Sequence, residues 1–195
     1  MLKVGITGGI GSGKSTICHF FRLLKTPVFD ADTEAKKIMN ESALVRSKMI
    51  VTFGKDIYLP NQTIDRKKLA SIIFNSPSLL AKVNSIIHPE VRKTFFEWCD
   101  KQPAPYIIHE AAILFESGFS QMMDHTILIV APEQQRIDRV MKRDGSTAGQ
   151  IKERIEKQWP DDKKMALADF VIHNNNRELI IPKILELDKK FRQHG

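Results

Sequence analysis

The chain has 195 residues, 42% hydrophobic and 27% charged, which suits one folded domain with insertions and excludes a collagen, a coiled-coil rod or a mostly disordered chain. Its 30 Lys and Arg against 23 Asp and Glu leave a net charge of +7. That surplus favours a polyanionic partner without choosing between nucleic acid, acidic lipid and phosphorylated metabolites.

Taken in chain order, the run from Lys3 to Thr7 is short, apolar and β-prone and ends at a glycine cluster. The N-terminus therefore reads as a first strand rather than a signal peptide. From Ser15 the pattern turns helical, with Ile17, Phe20, Phe21 and Leu24 on one helix face. Pro27-Val28-Phe29 makes a second strand ending at Asp30-Ala31-Asp32. Strand, glycine loop, helix and strand call for a parallel sheet with right-handed crossovers. Residues 33–103 carry Leu44, Val45, Met49, Leu69, Val83 and Ile87 at mostly helical spacings and read as a helical insertion. Tyr106-Ile107-Ile108, the run 126–130 and Phe170-Val171-Ile172 read as buried parallel strands. Pro132 fits the first turn of a helix reaching about Arg143. Residues 144–166 are polar and read as a mobile helical lid. Asn176 opens the last helical region, where Pro182 demands a kink or a start near Ile181. The sum is an α/β fold: a five-stranded parallel sheet flanked by helices, with an insertion and a lid inside one domain. Cys18 and Cys99 are too few for a disulfide framework and read as buried thiols. No apolar run nears the roughly 20 residues that span a bilayer, so a cytoplasmic protein is expected.

Gly8-Gly9-Ile10-Gly11-Ser12-Gly13-Lys14-Ser15 fits G-x-x-x-x-G-K-[ST] in full. Glycines let the backbone turn its N–H groups around a phosphate, and the following helix aims its positive end at the same anion. Lys14 can reach the β- and γ-phosphates, the Ser15 hydroxyl can ligate Mg²⁺, and Thr16 can serve the α-phosphate. A guanine-specific protein would carry N-K-x-D after a late strand. Here His173-Asn174-Asn175-Asn176 follows it, which favours ATP and transfer to a small acceptor.

On the acceptor side, Asp30 and Asp32 end the second strand and point the same way if it continues. Asp32 is the candidate base for an acceptor hydroxyl, or the N-cap of a helix starting at Thr33. Asp30 supports Mg²⁺ through water or caps the next helix. Glu110, ending the third strand, reaches Mg²⁺ or the acceptor, or partners Lys14. Glu116 is an acceptor-side candidate or a structural ion pair. Arg136, Arg139 and Arg143 share one helix face. They form either a solvated face or a clamp on the transferring phosphate, with Arg139 and Arg143 favoured because they border the lid.

These residues resemble the dephospho-coenzyme A kinase family. The resemblance rests on Gly5–Thr16, on Val28-Phe29-Asp30-Ala31-Asp32, on Ile87-His88-Pro89-Glu90-Val91-Arg92 and on Ile113-Leu114-Phe115-Glu116. It extends to Arg139-Val140-Met141-Lys142-Arg143-Asp144 and to Ala168-Asp169-Phe170-Val171-Ile172-His173-Asn174-Asn175. It implies a P-loop kinase that uses ATP and Mg²⁺ to phosphorylate the ribose 3′-hydroxyl of dephospho-coenzyme A, with no nucleic-acid or membrane partner. It supports Asp32 as base and implies that His88 and Arg92 lie near the acceptor and Asn174 and Asn175 by the adenine. His88 has an equal second reading as a helix-end hydrogen bond before Pro89. The chain departs from the family where Glu110-Ala111-Ala112 replaces D-x-P, and where His173 and Asn176 replace Asp and Gly. Asn can supply the left-handed conformation of a glycine. Another small-molecule or nucleotide P-loop kinase is the nearest alternative. An ATP-switched nucleic-acid binder finds little support, since aromatics are 8% of the chain and form no stacking motif. Oligomeric state is left open.

Overall fold

A computed structural model describes residues 1–73 and 76–195. Its elements run β1 (Leu2–Gly8), α1 (Lys14–Leu23), β2 (Val28–Asp30), α2 (Ala31–Glu41), α3 (Ala43–Phe53), α4 (Arg66–Ile73), α5 (Pro77–Cys99) and β3 (Tyr106–Glu110). They continue with β4 (His125–Val130), α6 (Glu133–Asp144), α7 (Ala148–Glu156), α8 (Asp161–Met165), β5 (Phe170–His173) and α9 (Ile180–His194). Contacts divide them into two units, Met1–Asp30 with Gln102–Gly195, and Ala31–Lys101.

The first unit is built on a parallel sheet of order β2-β3-β1-β4-β5. β1 and β3 are covered on both faces, which is why they read as near-continuous apolar runs. Val4, Ile6, Ile108, Ile127 and Ile129 from the sheet meet Ile17 and Phe21 of α1 and Ile184, Leu187 and Phe191 of α9. A polar strap closes this core. Thr26 Oγ1 donates to the Tyr106 hydroxyl at 2.9 Å, and Tyr106 donates to Asp188 Oδ1 at 2.6 Å. Burial and the Asp188 carboxylate push the phenol pKa well up, so it stays a donor. The parallel register pairs Asp30 with Glu110 and Glu110 with Ile6. The carboxyl ends of β2, β3 and β1 therefore reach one sheet edge, where ligands of such sheets sit.

One boundary differs from expectation, and another takes one of the two forms expected. α2 starts at Ala31, directly after β2, so the strand's alternation never reaches Asp32. α9 starts at Ile180, as the expected start near Ile181 requires, which puts Pro182 in its first turn, where a missing N–H costs no helical bond. Residues 144–166 form α7 and α8, and their docking is firmer than the polar sequence implies. Ile151 is fully buried against Ile137 and Val140 of α6, and Lys164 is fully buried as well.

The second unit gathers α2 to α5. Its longest helix, α5, buries Val83, Ile87, Val91, Phe95 and Cys99, a stripe in steps of four that keeps to one face. The helix runs unbroken through Pro89, which has no N–H to return to the Ser85 carbonyl. Among the described residues no helix is long and apolar enough to cross a membrane.

Candidate active site

The glycine loop between β1 and α1 is held from outside by side chains of two later segments. Arg136 Nε donates to the Ile10 carbonyl at 2.9 Å. Arg139 Nη1 donates to the Gly11 and Ser12 carbonyls, each at 3.4 Å. Asn174 Nδ2 donates to the Ser12 carbonyl at 2.8 Å. A trans peptide turns its N–H away from its C=O, so the peptide N–H groups of Gly11 and Gly13 are directed to the opposite side. That is the arrangement of an anion cradle, completed by the N-terminus of α1. Gly13 has a φ of 95°, and a Cβ there would collide with the Asn174 amide, so the position is glycine for two reasons. Lys14 Nζ donates to the Gly8 carbonyl at 3.2 Å, keeping its cation over the loop.

Arg139 is itself fixed by the β5–α9 connection. Its Nη2 donates to the Asn174 carbonyl at 3.1 Å and to Asn176 Oδ1 at 3.0 Å. Asn176 stands at φ 62°, the left-handed conformation its side chain tolerates. Arg139 and Asn174 thus act first on the shape of the loop.

Beneath the loop, Ser15 Oγ donates to Glu110 Oε1 at 2.9 Å. Glu110 is 5% exposed, and Arg22 Nη2 lies 4.0 Å from its other oxygen. Burial, with the Glu110 charge second, pushes the Cys18 thiol pKa well up, so Cys18 stays a neutral buried thiol as expected. A hydroxyl and a carboxylate side by side form a hard oxygen donor pair. Mg²⁺ suits it, because that ion takes few protein ligands and keeps its waters. Among the described residues no group of three or more His, Cys, Asp or Glu forms a denser cation site.

Asp32, His88 and Arg92 belong to the second unit. Asp32 is exposed in the first turn of α2, inside the helix and not ahead of it, so it is no N-cap. His88 and Arg92 sit one turn apart on α5 and line a groove of about 570 Å³ with Asn84, Ser85, Pro89 and Phe96. Burial, and secondarily the Arg92 charge, lower the His88 pKa, which favours a neutral imidazole. Because α5 continues past it, the helix-end reading of His88 fails.

Three further candidates have protein partners of their own. Arg143 is exposed and forms a two-pronged contact with Asp144, at 2.6 and 2.8 Å. Glu116 anchors residues 144–166, accepting from the Trp159 N–H at 3.2 Å and pairing with buried Lys164 at 3.0 Å. Asn175 is a turn residue whose Oδ1 accepts from the N–H groups of Arg177 and Glu178. Arg136, named with Arg139 and Arg143 as a candidate clamp, ranks below its two neighbours on sequence because it lies farther from the lid. It is 5% exposed, touches the loop and pairs with Asp161 at 3.1 Å. Its i, i+3 spacing to Arg139 places both on the helix face that meets the loop.

The dephospho-CoA kinase family model matches residues 2–179. The dephospho-CoA kinase of Porphyromonas gingivalis is 39% identical over 193 residues, covering 98% of this chain and 95% of that protein. Among solved structures, TT1252 from Thermus thermophilus aligns with a TM-score of 0.83 and 31% identity, over 97% of this chain and 94% of that one. The dephospho-CoA kinase from Campylobacter jejuni aligns with a TM-score of 0.69 and 26% identity, over 98% and 97% of the two chains.

Proposed function

The chain belongs to the dephospho-CoA kinase family, and from that premise we propose how its own residues carry the reaction. The enzyme transfers the γ-phosphoryl group of ATP to the ribose 3′-hydroxyl of dephospho-CoA, completing coenzyme A. The loop N–H groups and Lys14 hold the ATP phosphates, and Lys14 screens the charge that builds on the β–γ bridge. Ser15, with Glu110 beside it, would hold Mg²⁺, which would supply charge neutralisation to the phosphates. Asp32 takes the proton of the acceptor hydroxyl while that oxygen bonds to the γ-phosphorus. The bond to the β–γ bridging oxygen breaks, and ADP leaves with its electron pair. Arg92 meets acceptor phosphate, and neutral His88 supplies a hydrogen bond. Residues 33–103 act as the acceptor-binding insertion and 144–166 as the lid, and the reaction runs in the cytoplasm, a reading supported by two thiols and no disulfide.

The observation that best supports this reading is the Ser15–Glu110 contact of 2.9 Å under a complete phosphate loop. Its test is a panel of dephospho-CoA, adenosine, AMP and shikimate, each incubated with the protein, ATP and Mg²⁺, read as ADP formed and product mass. Dephospho-CoA is expected to stimulate ADP release and to gain one phosphoryl group. Stimulation by another acceptor and not by dephospho-CoA overturns the assignment.

A further inference from the structure

Ile10 occupies a loop position that the phosphate-binding pattern leaves open, yet it is held on three sides. Its side chain packs on Ile137 and Val140 of α6 and Ile151 of α7. Its carbonyl takes the hydrogen bond from Arg136. Its N–H donates to Gln158 Oε1 at 2.9 Å, across 148 positions of sequence. Gln158 lies in the short connection between α7 and α8 and is half-buried. The residues after it are tied down as well: Trp159 N–H to Glu116, Asp161 to Arg136 and Lys164 to Glu116. The tip of the phosphate loop and the α7–α8 connection are thus joined by a direct hydrogen bond, and the start of α8 is tied to the same tip through the Arg136–Asp161 pair. The N–H that Gln158 engages is neither of the two directed to the phosphate side. A bound triphosphate and this contact therefore do not compete.

We propose that Gln158 is a positioning residue for phosphoryl transfer. It latches residues 144–166 to the loop tip, so that order imposed on the loop by nucleotide passes to that segment. The proposal rests on the reading of the loop as the ATP site. Such coupling is reciprocal: what the nucleotide does to the segment, the docked segment does to nucleotide affinity. Gln158 touches no reacting atom in this scheme and acts through the Ile10 peptide alone. The prediction is correspondingly narrow, a loss on the ATP side with the acceptor side spared.

The test uses the full-length protein carrying Trp98→Phe, which leaves Trp159 as its one tryptophan. Gln158→Met removes the acceptor oxygen at nearly constant size, and Gln158→Glu keeps an oxygen at the same reach. Trp159 emission is followed during titration with a non-hydrolysable ATP analogue and Mg²⁺, and KM is measured for both substrates. The parent is expected to show an emission change on binding. In Gln158→Met its amplitude falls to about half or less and the KM for ATP rises about 3- to 10-fold, the worth of one hydrogen bond. The KM for dephospho-CoA holds within about twofold, and Gln158→Glu recovers most of the loss. A parent whose emission is silent to the analogue overturns the latch. So does Gln158→Met with the parent's emission change and KM for ATP, a Met effect equal on both substrates, or Glu behaving like Met. If no acceptor stimulates ADP release in the parent, the kinase reading falls, while the analogue titration still decides the latch.

Discussion

Two carboxylates near strand ends are given different work, and their surroundings explain why. Asp32 is exposed in a helix's first turn, where a carboxylate suits the helix's positive end. Replacing it with Asn keeps the shape and removes the proton acceptor. Turnover is expected to fall about 10²- to 10⁴-fold, with ATP affinity within a few-fold of the parent. A matching collapse of ATP affinity would instead assign Asp32 to metal or to structure. Glu110 is buried and engaged by Ser15, the loop's metal-ligating candidate. Glu110→Gln retains a carbonyl oxygen for the Ser15 hydroxyl but drops the charge. The Mg²⁺ concentration for half-maximal activity should rise by about tenfold, in line with the loss of a partner that orients a metal ligand. An unchanged Mg²⁺ titration would remove Glu110 from the metal's surroundings.

At the scale of elements, the strands and the loop were legible because their signals are local. Val- and Ile-rich runs bounded by Gly and Pro mark β1, β3 and β4, and Pro182 announces the first turn of α9. The start of α2 was misread by extending β2 through Asp32. The acidic pair Asp32 and Glu34 was the overlooked helix signal, since negative charge suits a first turn. The supports of the loop were not legible at all. Asn174, Arg139 and Asn176 meet only once β4 has paired between β1 and β5, and no spacing encodes that. Residues 144–166 show the same limit: their anchor is a buried ion pair with a residue from before β4, where an apolar stripe was sought. Removing one member of such a pair strands the other in low dielectric. Lys164→Met should therefore lower unfolding stability by about 3 kcal/mol, and the double variant Glu116→Gln with Lys164→Met should recover most of it. Denaturant midpoints measure both. A single variant as stable as the parent would show that the pair contributes nothing to anchoring the segment.

For the whole molecule, the net charge proved a poor guide to the site. Arg136 and Arg139, the best-placed cations, point at loop carbonyls and so build the cradle instead of filling it. A better global handle is His109, 1% exposed and stacked between Phe29 and Phe119 with centroids at 5.6 and 4.3 Å. Burial lowers its pKa from 6.5 to about 3, against a smaller upward pull from Asp30. The unfolded chain takes up a proton as pH falls through 6.5, and the folded one does so only near 3. The stability this group contributes is complete above pH 6.5 and is lost as pH drops towards 3, at up to about 1.4 kcal/mol per pH unit. His109→Phe removes the titration while keeping a ring in the stack. Its lost imidazole contacts cost the same at every pH, so they shift its curve without tilting it. Between pH 6.5 and 4 the variant's denaturation midpoint should fall less steeply than the parent's, and parallel curves would mean that His109 is not held neutral by burial.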